Sequence, residues 1–286
     1  MPLLGAHMSI SGGLDRAIFR GKERGCQVIQ IFTRNASRWR AKALSRCEID
    51  SFLTAREKTS VEPVAAHNSY LINLASPRVP VRKKSFHALL AEMERAERLK
   101  IPYLVIHPGS HLGDGEKIGL DRIIVALNRI FDQTSSYVLK ILLETTAGQG
   151  SNLGYCFEHL ARIMEGIDVP ERLGVCLDTC HVFAAGYDFR TEEAYQDLIK
   201  KLDAQIGLGY LKLLHINDSK KGLGSRVDRH EHLGCGLIGE KPFSFFLKDP
   251  TFKDTPFLLE TPKGEDENGL DWDIRNLELM RCLLEE

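Results

Sequence analysis

Short apolar runs alternate along the chain with longer stretches in which apolar positions recur every three or four residues, the cadence of strands alternating with helices. Eight such runs stand out: LLGAH ending at His7, VIQIF at 28–32, VEPVAAH ending at His67, YLVIH at His107, KILLE at Glu144, GVCLD at Asp178, LKLLH at His215 and PFLLE at Glu260. Helical spacing predicts helices over 13–25, 47–59, 79–99, 119–135, 154–167, 191–206 and 271–284. In the clearest, Phe86, Leu89, Leu90, Met93, Ala96 and Leu99 form one stripe with charge between them, a face that packs against a sheet. Segments containing Gly, Ser and Asn follow the strand ends at 33–46, 68–78, 108–118, 145–153, 179–190, 217–240 and 261–270, and are predicted as loops of one face. Nearly continuous apolar runs suit parallel strands buried on both sides. At 286 residues the chain is close to the usual size of one βα-barrel, so the expectation is a single-domain TIM-type (β/α)8 barrel over residues 1–286. An open doubly wound sheet is the competing architecture, and no GxGxxG follows an early strand to support it.

The ends of the runs carry the chemistry. An ionisable group closing a buried strand costs desolvation unless something compensates it, and a barrel gathers its strand ends into one active face. Alternation sharpens the expectation: if Asp178 faces the barrel mouth, Gly174 and Cys176 share its side, while Val175 and Leu177 face the helices. The same logic aims His67, His107, Glu144, His215 and Glu260 at one space. His181 follows Asp178 in DTCH, and Asp228 and His230 stand two apart in DRH. Together these are nine nitrogen and oxygen ligands. That is too many for one zinc ion and awkward for two unless the extra groups stand behind the ligands; a cluster of three fits if at least one carboxylate bridges two ions. Imidazole and carboxylate suit zinc, with manganese or iron as alternatives. His7 and His111 are expected to support the ligands rather than bind metal, and His232 likewise. His87 and His159 fall in helical segments and read as structural or exposed. Cys176 and Cys180 bracket Asp178, but the nitrogen and oxygen donors already suffice.

Composition narrows the class. With 43% hydrophobic and 27% charged residues the chain has material for a large core, and no run approaches a membrane span. Seven cysteines without a scaffold spacing, and a start lacking a charged and long apolar leader, predict a cytoplasmic protein. A formal net charge of −1 argues against holding nucleic acid by bulk charge alone and does not exclude a local site. No GxSxG elbow or P-loop appears.

HNSYLINLA at 67–75, GVCLDTCH at 174–181 and LHINDSKKGLGSRVDRH at 214–230, with HPGSH at 107–111 and LLETTAGQGSNLG at 142–154, closely resemble the endonuclease IV family of abasic-site repair enzymes. The resemblance covers nearly the whole chain. It implies three zinc ions: one on His67, His107 and Glu144, a second on Glu144, Asp178, His215 and Glu260, a third on His181, Asp228 and His230. Glu144, shared by two ions, would be the catalytic residue hardest to replace. The implied reaction cleaves duplex DNA 5′ to an abasic site, leaving a 3′-hydroxyl and a 5′-deoxyribose phosphate, with removal of 3′-blocking groups besides. Expected DNA contacts are Arg38 and Trp39 in TRNASRWRAK, which also holds Arg34, Arg40 and Lys42, then Tyr70 and Leu71, and Lys220, Arg226 and Arg229, with Lys221 beside them. Ser37 precedes Arg38 where the family pattern differs, leaving open which arginine enters the duplex. A monomer needing no protein partner is expected. A metal-dependent sugar isomerase on a similar barrel and a non-catalytic damage-recognition protein are the alternatives.

Overall fold

Each apolar run becomes a strand: Leu4–Met8 (β1), Val28–Phe32 (β2), Glu62–His67 (β3), Tyr103–Ile106 (β4), Lys140–Glu144 (β5), Leu173–Asp178 (β6), Leu211–His215 (β7) and Phe257–Leu259 (β8). The structure is a computed structural model and describes residues 1–40 and 42–285. Neighbouring strands pair in parallel in chain order, and β1 pairs with both β2 and β8, which closes the barrel. Gly5 is required at that seam, because a Cβ there would lie 1.7 Å from the Val28 carbonyl oxygen.

Strand alternation divides the core into two layers. Val28, Ala65, Val105, Leu142, Cys176, Leu213 and Leu258, one from each of β2 to β8, fill the barrel interior. Their neighbours Ile29, Leu104, Ile141, Val175 and Leu177 point outward and join the helix stripes in a second, larger layer. That layer is covered by helices at Leu14–Glu23 (α1), Arg46–Thr59 (α2), Val79–Arg98 (α3), Glu116–Gln133 (α4), Phe157–Glu165 (α5), Thr179–Ala185 (α6), Glu192–Gln205 (α7), Pro242–Lys248 (α8) and Trp272–Glu285 (α9). Start signals are local: Ser45 and Glu48 form a reciprocal capping box at α2, and Thr191 caps α7.

Two helices depart from the sequence expectation. Residues 179–190 read as loop in the sequence, yet α6 begins directly after β6 because the Asp178 carboxylate accepts the His181 N–H at 2.8 Å as an N-cap, and Gly186 ends the helix at φ 111°. The other is α8, seven residues opened by Pro242 in a stretch for which the sequence predicts no element. Three of the predicted loops contain short antiparallel ribbons, Gly109–Ser110 with Asn152–Leu153 and Asp218–Ser219 with His230–Glu231. Asp218 anchors the second by accepting the N–H groups of Gly234, Gly236 and Ile238. Among the described residues no helix is long and apolar enough to cross a membrane.

Candidate metal centre

All nine candidate ligands converge at the C-terminal ends of the strands. His67, Glu144, Asp178 and His215 are the last residues of β3, β5, β6 and β7; His107 and Glu260 come just after β4 and β8. His181 enters from the first turn of α6, while the ribbon after β7 delivers His230 with Asp228 just before it. Ligating atoms approach one another within 4.8 Å in overlapping groups: His67, His107 and Glu144; Glu144, Asp178, His215 and Glu260; Asp178, His181 and His230; and Cys180, Asp228 and His230. Glu144 joins the first two. Its Oε2 faces His67 Nε2 at 3.0 Å and His107 Nε2 at 3.1 Å, and its Oε1 faces His215 Nδ1 at 3.0 Å and His181 Nδ1 at 3.4 Å.

Hydrogen bonds behind the rings fix where the imidazole lone pairs point. His67 Nδ1 donates to the Asn68 carbonyl at 2.9 Å, His181 Nδ1 to the Thr145 carbonyl at 2.8 Å, His230 Nδ1 to the Glu260 carbonyl at 3.1 Å, and His215 Nε2 to Gln30 Oε1 at 3.0 Å. Each ring then turns a lone pair toward the centre. His181 Nε2 meets His230 Nε2 at 3.3 Å and Asp228 Oδ2 at 3.2 Å, and His215 Nδ1 meets Glu260 Oε2 at 3.2 Å. Acceptors facing acceptors in a buried site repel unless positive charge lies between them. The electrostatics say the same. Burial pulls His181 down, but Asp178 and Asp228 outweigh it and hold the ring well above the usual imidazole range. Burial pushes Glu144 up, yet His107 and His215 hold its carboxyl well below the usual range, and His215 does the same for Glu260. A donor set of imidazole nitrogen and carboxylate oxygen fits a divalent metal ion, zinc among them. Cys176 and Cys180 do not compete, since burial pushes both thiols up to about 12.

A family description, "Xylose isomerase-like TIM barrel", matches residues 20–280. "Probable endonuclease 4" of Chloroflexus aurantiacus is 50% identical over 285 residues, covering 100% of this chain and 99% of that one. The crystal structure of endonuclease IV from Thermus thermophilus superposes with a TM-score of 0.85 at 36% identity, covering 99% of both chains. The chain belongs to the endonuclease IV family. A D-tagatose 3-epimerase-like protein superposes at a TM-score of 0.76 with 21% identity over 99% of this chain and 97% of its own, a likeness of barrel alone.

Within this endonuclease IV framework the other expected residues separate into different neighbourhoods. Tyr70 stands at the rim of a cavity of about 340 Å3 that is lined by the metal-face histidines, Asp228, Glu260, Phe32 and Lys263. It packs edge-on against Phe32 with ring centroids 5.4 Å apart, and partial burial together with Glu260, Glu144 and Asp228 pushes the phenol up to about 12, so it stays neutral. Leu71 follows it, half-buried. Arg38 and Trp39 do not line that cavity. They face α3 across a separate groove of about 1110 Å3, whose other walls carry Arg40, Lys42, Lys83, Lys84 and Arg98. The loop is bent that way by the buried Arg34–Glu92 pair at 2.7 Å and by Arg95, which donates to the Lys42 carbonyl at 2.9 Å. Lys220 pairs with Glu231 at 3.6 Å, Arg226 lies over the Tyr155 ring at 4.3 Å, and Arg229 is exposed beside Asp228.

His7 sits beside Glu260, Nδ1 to Oε1 3.3 Å, and burial lowers its pKa. His111, expected to support a ligand, instead uses Nδ1 to accept the N–H groups of Gly113 and Gly115; it shapes its own loop and, among the described residues, bonds none of the nine. His232 likewise stacks on Trp272 at 3.7 Å, away from the ligands. Sequence reasoning missed Gln30, Asn217, Thr145 and Lys263. Asn217 donates to Asp178 Oδ2 at 2.7 Å and accepts the Glu260 N–H at 2.8 Å, and Thr145 Oγ1 accepts the Asp178 N–H at 2.9 Å. A signal for Gln30 was available: it is a polar residue at an inward position of an apolar strand.

Proposed function

We propose that this protein is a zinc-dependent DNA-repair endonuclease that hydrolyses the phosphodiester 5′ to an abasic site, giving a 3′-hydroxyl and a 5′-deoxyribose phosphate, and that also clears 3′-blocked ends. The observation that carries this reading is Glu144, whose two buried oxygens each face a separate pair of imidazole nitrogens. His67, His107 and Glu144 would hold one ion, Glu144 with Asp178, His215 and Glu260 a second, and His181, Asp228 and His230 a third; manganese or iron are alternative occupants. When bound, the ions supply Lewis-acid charge for a phosphodiester and lower the pKa of a water toward about 7.

The chain's own groups bind and orient the substrate. Tyr70, a neutral aromatic at the rim, presents a face for stacking in the gap left by a missing base. Leu71 backs it. Arg38 and Trp39, with Lys83 and Lys84 opposite, give one flank a cationic path for phosphates, and Lys220, Arg226 and Arg229 give the ribbon side another. Phe32 walls the cavity beside Tyr70 and limits water there. The protein would act as a cytoplasmic monomer on duplex DNA.

Incision of an end-labelled duplex carrying one tetrahydrofuran abasic analogue, before and after chelation and zinc restoration, tests the reading. The analogue cannot undergo β-elimination, so hydrolysis is isolated. Metal-dependent cleavage immediately 5′ to the lesion with an extendable 3′-hydroxyl is expected; no cleavage by the fully metallated protein overturns it.

A further inference from the structure

Gln30 is wholly buried in β2, side by side in register with His7 of β1. A primary amide in such a place is tolerated only with its donors and acceptor matched. All are matched here, two of the three partners being candidate ligands and the third His7. Oε1 accepts from His215 Nε2 at 3.0 Å, while Nε2 donates to Glu260 Oε1 at 2.5 Å and to His7 Nδ1 at 3.0 Å. The amide has one possible orientation, because reversing it would set two oxygens against each other at 2.5 Å beside Glu260.

That orientation has a chemical consequence. An amide oxygen only accepts, so His215 must carry its proton on Nε2, and its Nδ1 lone pair is left facing Glu144 Oε1 and Glu260 Oε2. With the proton on Nδ1 instead, the ring would bond a carboxylate and could not ligate. His67, His181 and His230 take the corresponding support from backbone carbonyls, which no substitution removes. His215 alone of these four takes it from a side chain.

We propose that Gln30 is the positioning residue of the central metal position, selecting the His215 tautomer and aiming Glu260 with the same amide. The proposal rests on the metal-centre reading above. Outer partners of this kind typically change metal affinity by about 10–100-fold. The test is a zinc competition titration against a chelator on the wild-type protein, Gln30→Leu and Gln30→Glu, with melting temperatures of the metal-free forms and visible spectra of the cobalt-substituted ones. Gln30→Leu is expected to weaken one zinc equivalent about 10–100-fold, leave the other two unchanged, and alter the cobalt bands of a single ion, with the metal-free melting temperature held. Gln30→Glu keeps the acceptor and loses the donors toward Glu260, so it is expected to weaken the same equivalent, and it decides the matter should Gln30→Leu fail to fold. Wild-type affinity for three zinc ions in the variants overturns the proposal while leaving the metal centre intact, as does an equal fall at all three alongside a lower metal-free melting temperature. A wild-type protein that binds no zinc overturns the metal-centre reading itself, and this inference with it.

Discussion

At the scale of one residue, the proposed bridge is Glu144, whose two oxygens lie against four imidazoles. Glu144→Gln keeps the shape but replaces one oxygen by an NH2 that donates to an imidazole lone pair, satisfying with hydrogen a site otherwise satisfied by a cation. Metal analysis of this variant is expected to show at least one zinc equivalent weakened by more than the ~100-fold typical of losing a mere orienting partner. Incision of the abasic analogue should fall with it; full metal content with wild-type turnover would refute the bridging role. Cysteine reactivity gives a second residue-level expectation. Cys26, Cys176 and Cys180 are buried, whereas Cys47, Cys235 and Cys282 are exposed. Brief iodoacetamide treatment of the native protein, read by peptide mass spectrometry, should modify the exposed three and spare the buried three, and rapid labelling of Cys180 would show that the turn carrying His181 opens readily. Six of the nine candidate ligands were legible because an ionisable group ending an apolar run is anomalous on its face, and His181, Asp228 and His230 because of their spacing in DTCH and DRH. Asn217 lies in a predicted loop and carries no such flag; Gln30 is marked as a polar residue inside an apolar strand, but not its partner, since Glu260 stands 230 positions away.

Among the elements, α3 and the loop after β2 depend on one another through Arg34 and Glu92. Burial raises the Glu92 carboxyl even though Arg34 opposes the shift, and a buried ion pair generally gains little over well-packed apolar residues of the same volume. Removing one partner is another matter, since it leaves the other charge buried alone. Glu92→Ala is therefore expected to cost about 3–5 kcal/mol in urea unfolding, and the double variant Arg34→Met with Glu92→Leu to recover most of it. Equal losses in the two would show that the packing of α3, and not the stranded guanidinium, sets the cost. The loop after β3 gives the functional counterpart. Tyr70 is 73% exposed, so Tyr70→Ala should leave the fold and metal content alone while lowering the preference for abasic over intact duplex by about 1–3 kcal/mol, the range for an aromatic stacked on a base. Equal affinity of the wild type for both duplexes would refute that role. The eight strands and seven of the helices could be read from apolar spacing. With only seven residues each, α6 and α8 are too short to show a helical period, and α6 is started by a side chain that the sequence marks only as a metal ligand.

At the scale of the whole molecule the barrel brings four carboxylates and five imidazoles to one mouth, a concentration of acceptors that its formal net charge of −1 conceals. Strand order explains why the arrangement was largely legible: parallel strands all end on one face, so residues far apart in sequence become neighbours once the sheet closes. Which ring faces which carboxylate followed only from the family resemblance and not from strand spacing, because it depends on backbone carbonyls and on Gln30 behind the rings. Closure also couples the site to stability. Without cations, the lone pairs of His181 and His230 confront each other at 3.3 Å unless the site takes up protons, and a bound metal ion removes that repulsion in the folded chain only. Any ion that binds only the folded chain stabilises it by about 4 kcal/mol at a thousand times its dissociation constant. At roughly 2 °C per kcal/mol for a domain of this size, chelation is expected to lower the melting temperature by about 8 °C or more, and zinc to restore it. Calorimetry paired with metal analysis provides the check. A melting temperature unmoved by complete removal of zinc would mean that the histidines and carboxylates satisfy one another by sharing protons, and the centre would then be a structural hydrogen-bond network rather than a site for metal.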